Sequence, residues 1–151
     1  MKTTLFIFLI LALSYCVNSE PELQFGTIEI RIDNLESDYG KVLSQLYYDK
    51  YNQKSDFPTK SDKAYKKTSS IIKYHQTVLK YENVQYGYYA ISVHHDINNN
   101  EKMDKTILGM PDEPFGLSNN PKILFSCPDF DETKFELNRK NLIIHIKMIR
   151  L

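Results

Sequence analysis

Three stretches of this chain alternate apolar and polar residues with a period of two, and that period limits what the chain can fold into. In residues 27–33, Ile28, Ile30 and Ile32 fall on one side, Glu29 and Arg31 on the other. In residues 88–95, Tyr89, Ile91, Val93 and His95 share one side and Tyr88, Ala90, Ser92 and His94 the other. Near the C-terminus, Leu142, Ile144, Ile146 and Met148 alternate with Ile143, His145 and Lys147. Successive side chains of a strand point to opposite faces, so each stretch reads as a strand with one face on a core. Residues 41–48 carry apolar side chains on both faces and read as a more central strand. Residues 77–81 and 133–137 are shorter ones. Eleven Tyr and eight Phe favour strands over helices. About seven strands with turn signals between them predict an all-β chain, an antiparallel β-sandwich with long loops. A small closed barrel is the alternative.

The N-terminus follows a different logic. Lys2 precedes a nearly unbroken apolar run, residues 5–13, which is too short to span a bilayer comfortably. Val17 and Ser19 are small enough for the −3 and −1 positions of a cleavage site. Residues 1–19 are therefore expected to be a signal peptide, leaving residues 20–151 as one domain with no membrane span, secreted or periplasmic. Lipidation at Cys16 ranks below simple export, because Tyr15 is a poor −1 residue. Removal of the signal leaves Cys127 alone, so no internal disulfide is expected. With no motif around it, Cys127 reads as a small buried apolar residue. Charge is balanced at 19 Lys+Arg against 19 Asp+Glu, which argues against a nucleic-acid partner.

Two segments lack strand periodicity. Residues 49–70 carry Lys54, Lys60, Lys63, Lys66 and Lys67, and read as a solvated loop. Phe57 and Pro58 would anchor it, and Ser61 or Asp62 would cap a single helical turn through Lys67. Residues 110–128 contain Pro111, Pro114, Pro121 and Pro128, with Gly116 and Asn119-Asn120, and read as a long ordered loop.

The chemistry concentrates at residues 96–104. Asp96, Asn98, Asn100 and Asp104 stand at spacings 1, 3, 5 and 9, which aims several oxygens at one loop centre, as calcium requires. The Lys102 carbonyl is a fifth donor, and Asp112 or Glu113 can complete the set from afar. An EF-hand is excluded: position 6 is Glu101, position 12 is Ile107, and the flanks are strands. The competing reading is an Asx-rich loop whose side chains cap their own backbone amides. A second candidate ligand loop comprises Glu113, Ser118, Asn119 and Asn120, with turn-building as the plainer role. Tyr88 is the best candidate for an exposed aromatic platform. His94 and His95 are adjacent and point to opposite faces, so zinc is not expected.

The segments H-D-I-N-N-N-E-K-M-D, L-G-M-P-D-E-P-F-G-L-S-N-N and P-D-F-D-E-T-K-F, in that order, resemble the DUF2141 family, small exported bacterial proteins of unknown function. The family pattern is similar to H-D-x-N-x-N-G-x-x-D, G-x-P-x-E-x-x-G-x-S-N-N and P-x-F-x-x-A-x-F. Glu101 stands where the family prefers Gly, and Thr133 where it prefers Ala. The resemblance implies an immunoglobulin-like or transthyretin-like β-sandwich.

The expected role is a non-enzymatic binding or accessory module that meets an extracytoplasmic partner or ligand, with calcium in the Asp96 loop. The alternative is an extracytoplasmic hydrolase using His95 and Asp96 with the Glu113 carboxylate.

Overall fold

Ile28, Ile30 and Ile32 are fully buried in β1 (Phe25–Ile32), as their alternation requires. The computed structural model describes residues 24–50, 53–123 and 126–151, so the expected signal peptide and Cys16 lie outside the described residues. Glu29 and Arg31 face outward and pair with each other at 2.7 Å, and Lys80 reaches Glu29 at 3.2 Å. β1 is the middle strand of a three-stranded sheet. It runs antiparallel to β4 (Thr77–Gln85) and parallel to β8 (Asn141–His145).

The second sheet faces the first. β2 (Lys41–Tyr48) lies between β3 (Lys66–Ile71) and β5 (Gly87–Asp96), all antiparallel, which confirms its central place. The far edge of β5 is shared by two short strands. β6 (Phe115–Leu117) pairs with residues 92–94, and β7 (Phe135–Leu137) with residues 87–89. After β8 the chain crosses between sheets. Ile146 N–H donates to the Arg31 carbonyl at 3.1 Å, and Ile149 then pairs with Phe115. Gly116 permits that crossing, because a Cβ there would stand 2.6 Å from Ile146 Cγ2 and 2.7 Å from the Lys147 carbonyl oxygen.

The fold is the expected antiparallel β-sandwich, with eight strands rather than about seven and one parallel pair. The additional strands fall where loops were expected. Lys66 and Lys67 belong to β3 rather than to a helical turn, and charged side chains on an edge strand are a common protection against edge pairing. The single turns in that segment are 3-10, Gln53–Ser55 and Ser61–Lys63, and neither Ser61 nor Asp62 caps the second, whose N-cap is Lys60. β6 lies inside the expected 110–128 loop, and Thr133 closes a short helix, α1 (Phe130–Thr133), instead of opening a strand. Asp129 starts α1 with a reciprocal capping box to Glu132, so local capping overrides strand propensity there. Cys127 is exposed rather than buried.

β5 is covered on both sides. Tyr89, Ile91 and Val93 enter the main core between the sheets. On the outer side, Ala90 joins Tyr47, Phe57, Leu117 and Phe130 in a second apolar cluster. Phe57 does anchor its segment, edge-on to Tyr47 at 5.2 Å.

Candidate functional site

β5 delivers Asp96 to the sheet end as a fully buried side chain. Its Oδ1 accepts from Asn100 N–H and its Oδ2 from Glu101 N–H, both at 3.0 Å. The two Asn side chains tighten the same turn: Asn98 Oδ1 accepts from Asn100 N–H at 3.0 Å, and Asn100 Oδ1 from Lys102 N–H at 2.8 Å. Their amide nitrogens both donate to Asp104, Asn98 at 2.6 Å and Asn100 at 2.9 Å. All four expected residues therefore meet in one loop. Asn99 and Glu101 take positive φ, 60° and 63°. The value at Glu101 explains why glycine suits that position in the family pattern.

Glu113 joins this group from two residues before β6. It is buried, and its Oε1 accepts from Ile97 N–H at 2.8 Å while Oε2 accepts a long bond from Asp104 N–H at 3.4 Å. Strand pairing places it there, since His95 N–H donates to the Pro114 carbonyl at 2.8 Å. Asp112 is exposed and contributes backbone: its N–H donates to the Asp104 carbonyl at 2.8 Å, and its own carbonyl accepts from Arg150 at 2.7 Å. On the other flank Lys41 is in register with Asp96, yet its ammonium sits on Glu101 at 2.9 Å. That hydrogen bond raises the Lys41 pKa first, and the charges of Glu101 and Asp96 add to it. The loop of residues 34–40 closes over the site, and Gly40, at φ +74°, admits the Asp96 carbonyl, which a Cβ would meet at 2.1 Å.

The histidines are held differently. His95 is fully buried, its Nε2 2.7 Å from the Tyr39 carbonyl and its Nδ1 without a partner among the described residues. His94 is 7% exposed on the same face as Asp96, and its Nε2 also lacks a partner among the described residues. Burial lowers the His94 pKa, against the opposing pull of Asp96 and Asp104. Among the described residues, no three His, Cys, Asp or Glu side chains form a ready-made metal cluster. Any ion at this loop must draw on the Asn oxygens as well.

Ser118, Asn119 and Asn120 serve the chain itself. Ser118 is fully buried, accepting from Ile91 N–H at 2.9 Å and donating to the Thr133 carbonyl at 2.6 Å. Asn119 donates to the Lys134 carbonyl at 2.8 Å. Asn120 bridges the sheet crossing, donating to His145 and accepting from Lys147 N–H. Tyr88 is 46% exposed, whereas Tyr89 stacks on Tyr48 in the core, so no row of tyrosines faces out. Sequence reasoning overlooked the Arg150–Glu36 ion pair, 2.9 Å, which braces the site from the C-terminus. No signal announces a pair 114 residues apart.

Two facing sheets with an Asx-rich loop at one pole define a β-sandwich of the kind the ordered motifs describe. The DUF2141 family, described as an uncharacterized protein conserved in bacteria, matches residues 30–145, and the chain belongs to it. No curated protein matches the chain. It is similar to the crystal structure of a fimbrial assembly protein from Parabacteroides distasonis ATCC 8503, at 9% sequence identity and a TM-score of 0.46. That match covers 86% of this chain and 54% of the other, so this chain spans about half the length of that protein. Among the described residues, no helix is long and apolar enough to cross a membrane.

Proposed function

We propose that this chain is a non-enzymatic binding or accessory module that works outside the cytoplasm, with residues 96–104 holding a calcium ion. One observation supports the reading above others: Asp96, Asp104 and Glu113 gather at a single loop, two of them are buried, and none forms an ion pair among the described residues. Buried charge is costly unless it is paired or bound to a metal. Calcium suits the donors, which are carboxylate and amide oxygens. Asp96 and Asp104 supply charge, Asn98 and Asn100 neutral oxygens, and Glu113 a further carboxylate from the segment leading into β6. To ligate, Asn98 and Asn100 turn from their N–H contacts with Asp104 to the ion, and the bonds that their Oδ1 atoms accept from Asn100 N–H and Lys102 N–H are given up.

What counts against a hydrolase is His95. Its ring is fully buried against Tyr39, and the Asp96 and Glu113 carboxylates hold backbone amides. A general base must come within hydrogen-bond reach of its substrate.

Thermal unfolding with EDTA and with millimolar calcium tests the reading, since a ligand of the folded state raises its stability by mass action. The wild-type melting temperature should rise with calcium. Asp104→Asn, at a half-buried position, should fold and lose the rise; Asp96→Asn should lose it as well. An unchanged wild-type melting temperature would leave the loop a self-capped Asx turn.

A further inference from the structure

The outer face of the three-stranded sheet carries a cleft of about 610 Å³. Strand register sets Val78, Arg31 and His145 side by side across it, and Asp33 follows Arg31 on the same face. The hairpin that joins β3 to β4, closed by the Lys73–Gln76 bridge, adds Ile71 and Tyr74 at the side.

Tyr74 singles this cleft out. It is 85% exposed, and it and His75 both take positive φ, 55° and 59°. A tight hairpin with two such positions favours Asn-Gly, because bulky side chains resist the left-handed region. Here the turn is pinned to the body. Asp38 accepts from Tyr74 N–H at 3.0 Å and from His75 N–H at 2.6 Å, and Leu35 N–H donates to the His75 carbonyl at 2.9 Å. The fold thus holds an aromatic ring in water on a fixed backbone, beside the exposed Ile71 and Val78. Backbone strain of this kind concentrates at ligand sites.

The polar groups define the ligand. Around the cleft Arg31, Lys73 and Lys80 stand against Glu29, Asp33 and Asp38, so the charges balance and neither an anion nor a cation is selected. Glu29 fixes Arg31 through Nε at 2.8 Å and Nη2 at 2.7 Å, which leaves Nη1 free for a ligand. The side chains of Asp33, Lys73, Gln76 and His145 bond to no other described residue. Donors and acceptors therefore lie together next to an apolar wall. A sugar matches that combination: each hydroxyl both donates and accepts, and the C–H face of the ring packs on an aromatic one. The volume lies within the roughly 300–1,000 Å³ of small-ligand clefts, which suits a short saccharide and not a folded domain.

We infer that this cleft binds a neutral saccharide, with Tyr74 stacking on a sugar ring and Arg31, Asp33, Gln76 and His145 reading its hydroxyls. The site is separate from the Asp96 loop and does not depend on the calcium reading.

The test is a titration of ¹⁵N-labelled protein in EDTA, followed by amide chemical shifts. The probes are cellotriose, maltotriose, xylotriose and triacetylchitotriose, with trigalacturonate as the anionic counterpart. At least one neutral trisaccharide should move the Arg31, Tyr74, Val78 and His145 signals saturably at millimolar concentration. Tyr74→Ala should weaken that binding about two- to tenfold, as loss of a ring contact does. Tyr74→Phe should keep it, and Tyr88→Ala, on the other sheet, should leave it unchanged. Unchanged signals outside the turn would show that Tyr74→Ala is folded. Silence from all four neutral probes, shifts confined to other surfaces, or full binding by a folded Tyr74→Ala would each overturn the inference. Tighter binding of trigalacturonate would overturn it too, by assigning the cleft to anions through Arg31 and Lys73.

Discussion

The two ends of β5 are held by different physics. At the Gly87 end, Tyr89 stacks on Tyr48 at 4.6 Å, Tyr65 tilts against Tyr48 at 5.4 Å, and Phe135 lies 6.4 Å from Tyr89. On the outer face Phe57 stands edge-on to both Tyr47 and Phe130. At the Asp96 end, carboxylates and amides fix the backbone through directional bonds. Packing is indifferent to protons over the usual range; burial pushes the Tyr47 phenol up to about 12, so that end gives up stability only as pH rises beyond the ordinary value of 10.0. At the polar end burial lowers the His94 pKa, so that end answers to protons. One strand thus joins a part held by packing to a part held by directional bonds.

The comparison is broken most severely at the dry end. Phe130 is 1% exposed and held by the α1 capping box over Tyr47, Phe57 and Leu117, with Lys54 above its ring at 5.6 Å. Phe130→Ala should cost about 3–5 kcal/mol, the usual range for truncating a buried Phe. Urea unfolding should give a similar loss at pH 5 and pH 7. A loss that changed markedly between those two values would mean that the cluster is coupled to the titrating end.

The sequence made the dry end legible and the polar end only in part. Period-two alternation located Ile28, Ile30 and Ile32 because a one-residue slip would expose all three. Apolar side chains on both faces, rather than alternation, placed β2 inside its sheet. β3 stayed hidden because none of its residues is buried and its lysines look like those of a loop. β6 is three residues long and lies among prolines, so its pairing with β5 is a long-range fact with almost no local trace. In the loop, the spacing of Asp96, Asn98, Asn100 and Asp104 did predict convergence. That Glu113 would complete the group was one of two options, and pairing of Pro114 with His95 decided it over Asp112. Ser118, Asn119 and Asn120 look identical in sequence whether they bind a ligand or the chain, because the same donors and acceptors serve either purpose.

A pH series sharpens the contrast less severely. Burial holds the His94 pKa below its ordinary 6.5, so the unfolded chain binds this proton more readily than the folded one. The His94 contribution is therefore complete above pH 6.5 and is lost as pH falls below it toward the folded pKa. Melting temperature should drop from pH 7 to pH 5 in the wild type, and His94→Gln should flatten that drop. Asp96 and Asp104 are the charges that oppose the shift. An equally steep drop in His94→Gln would assign the pH response to other groups.

The smallest effect is expected at Glu101, and it isolates the backbone from the chemistry. At φ 63° a residue with a Cβ pays about 1–2 kcal/mol that glycine avoids. Glycine returns about 0.5–1 kcal/mol of that through its larger unfolded-state entropy. The Glu101–Lys41 pair, lost in the variant, is solvent-screened, so its loss weighs little. Glu101→Gly should therefore leave stability unchanged or raise it by up to about 1.5 kcal/mol in denaturant unfolding, and it should keep the calcium response proposed for the wild type. A clear loss would show that the Lys41 contact, rather than the shape of the turn, fixes this end of β5. The contrast would then rest on a surface ion pair instead of on the carboxylates beneath it.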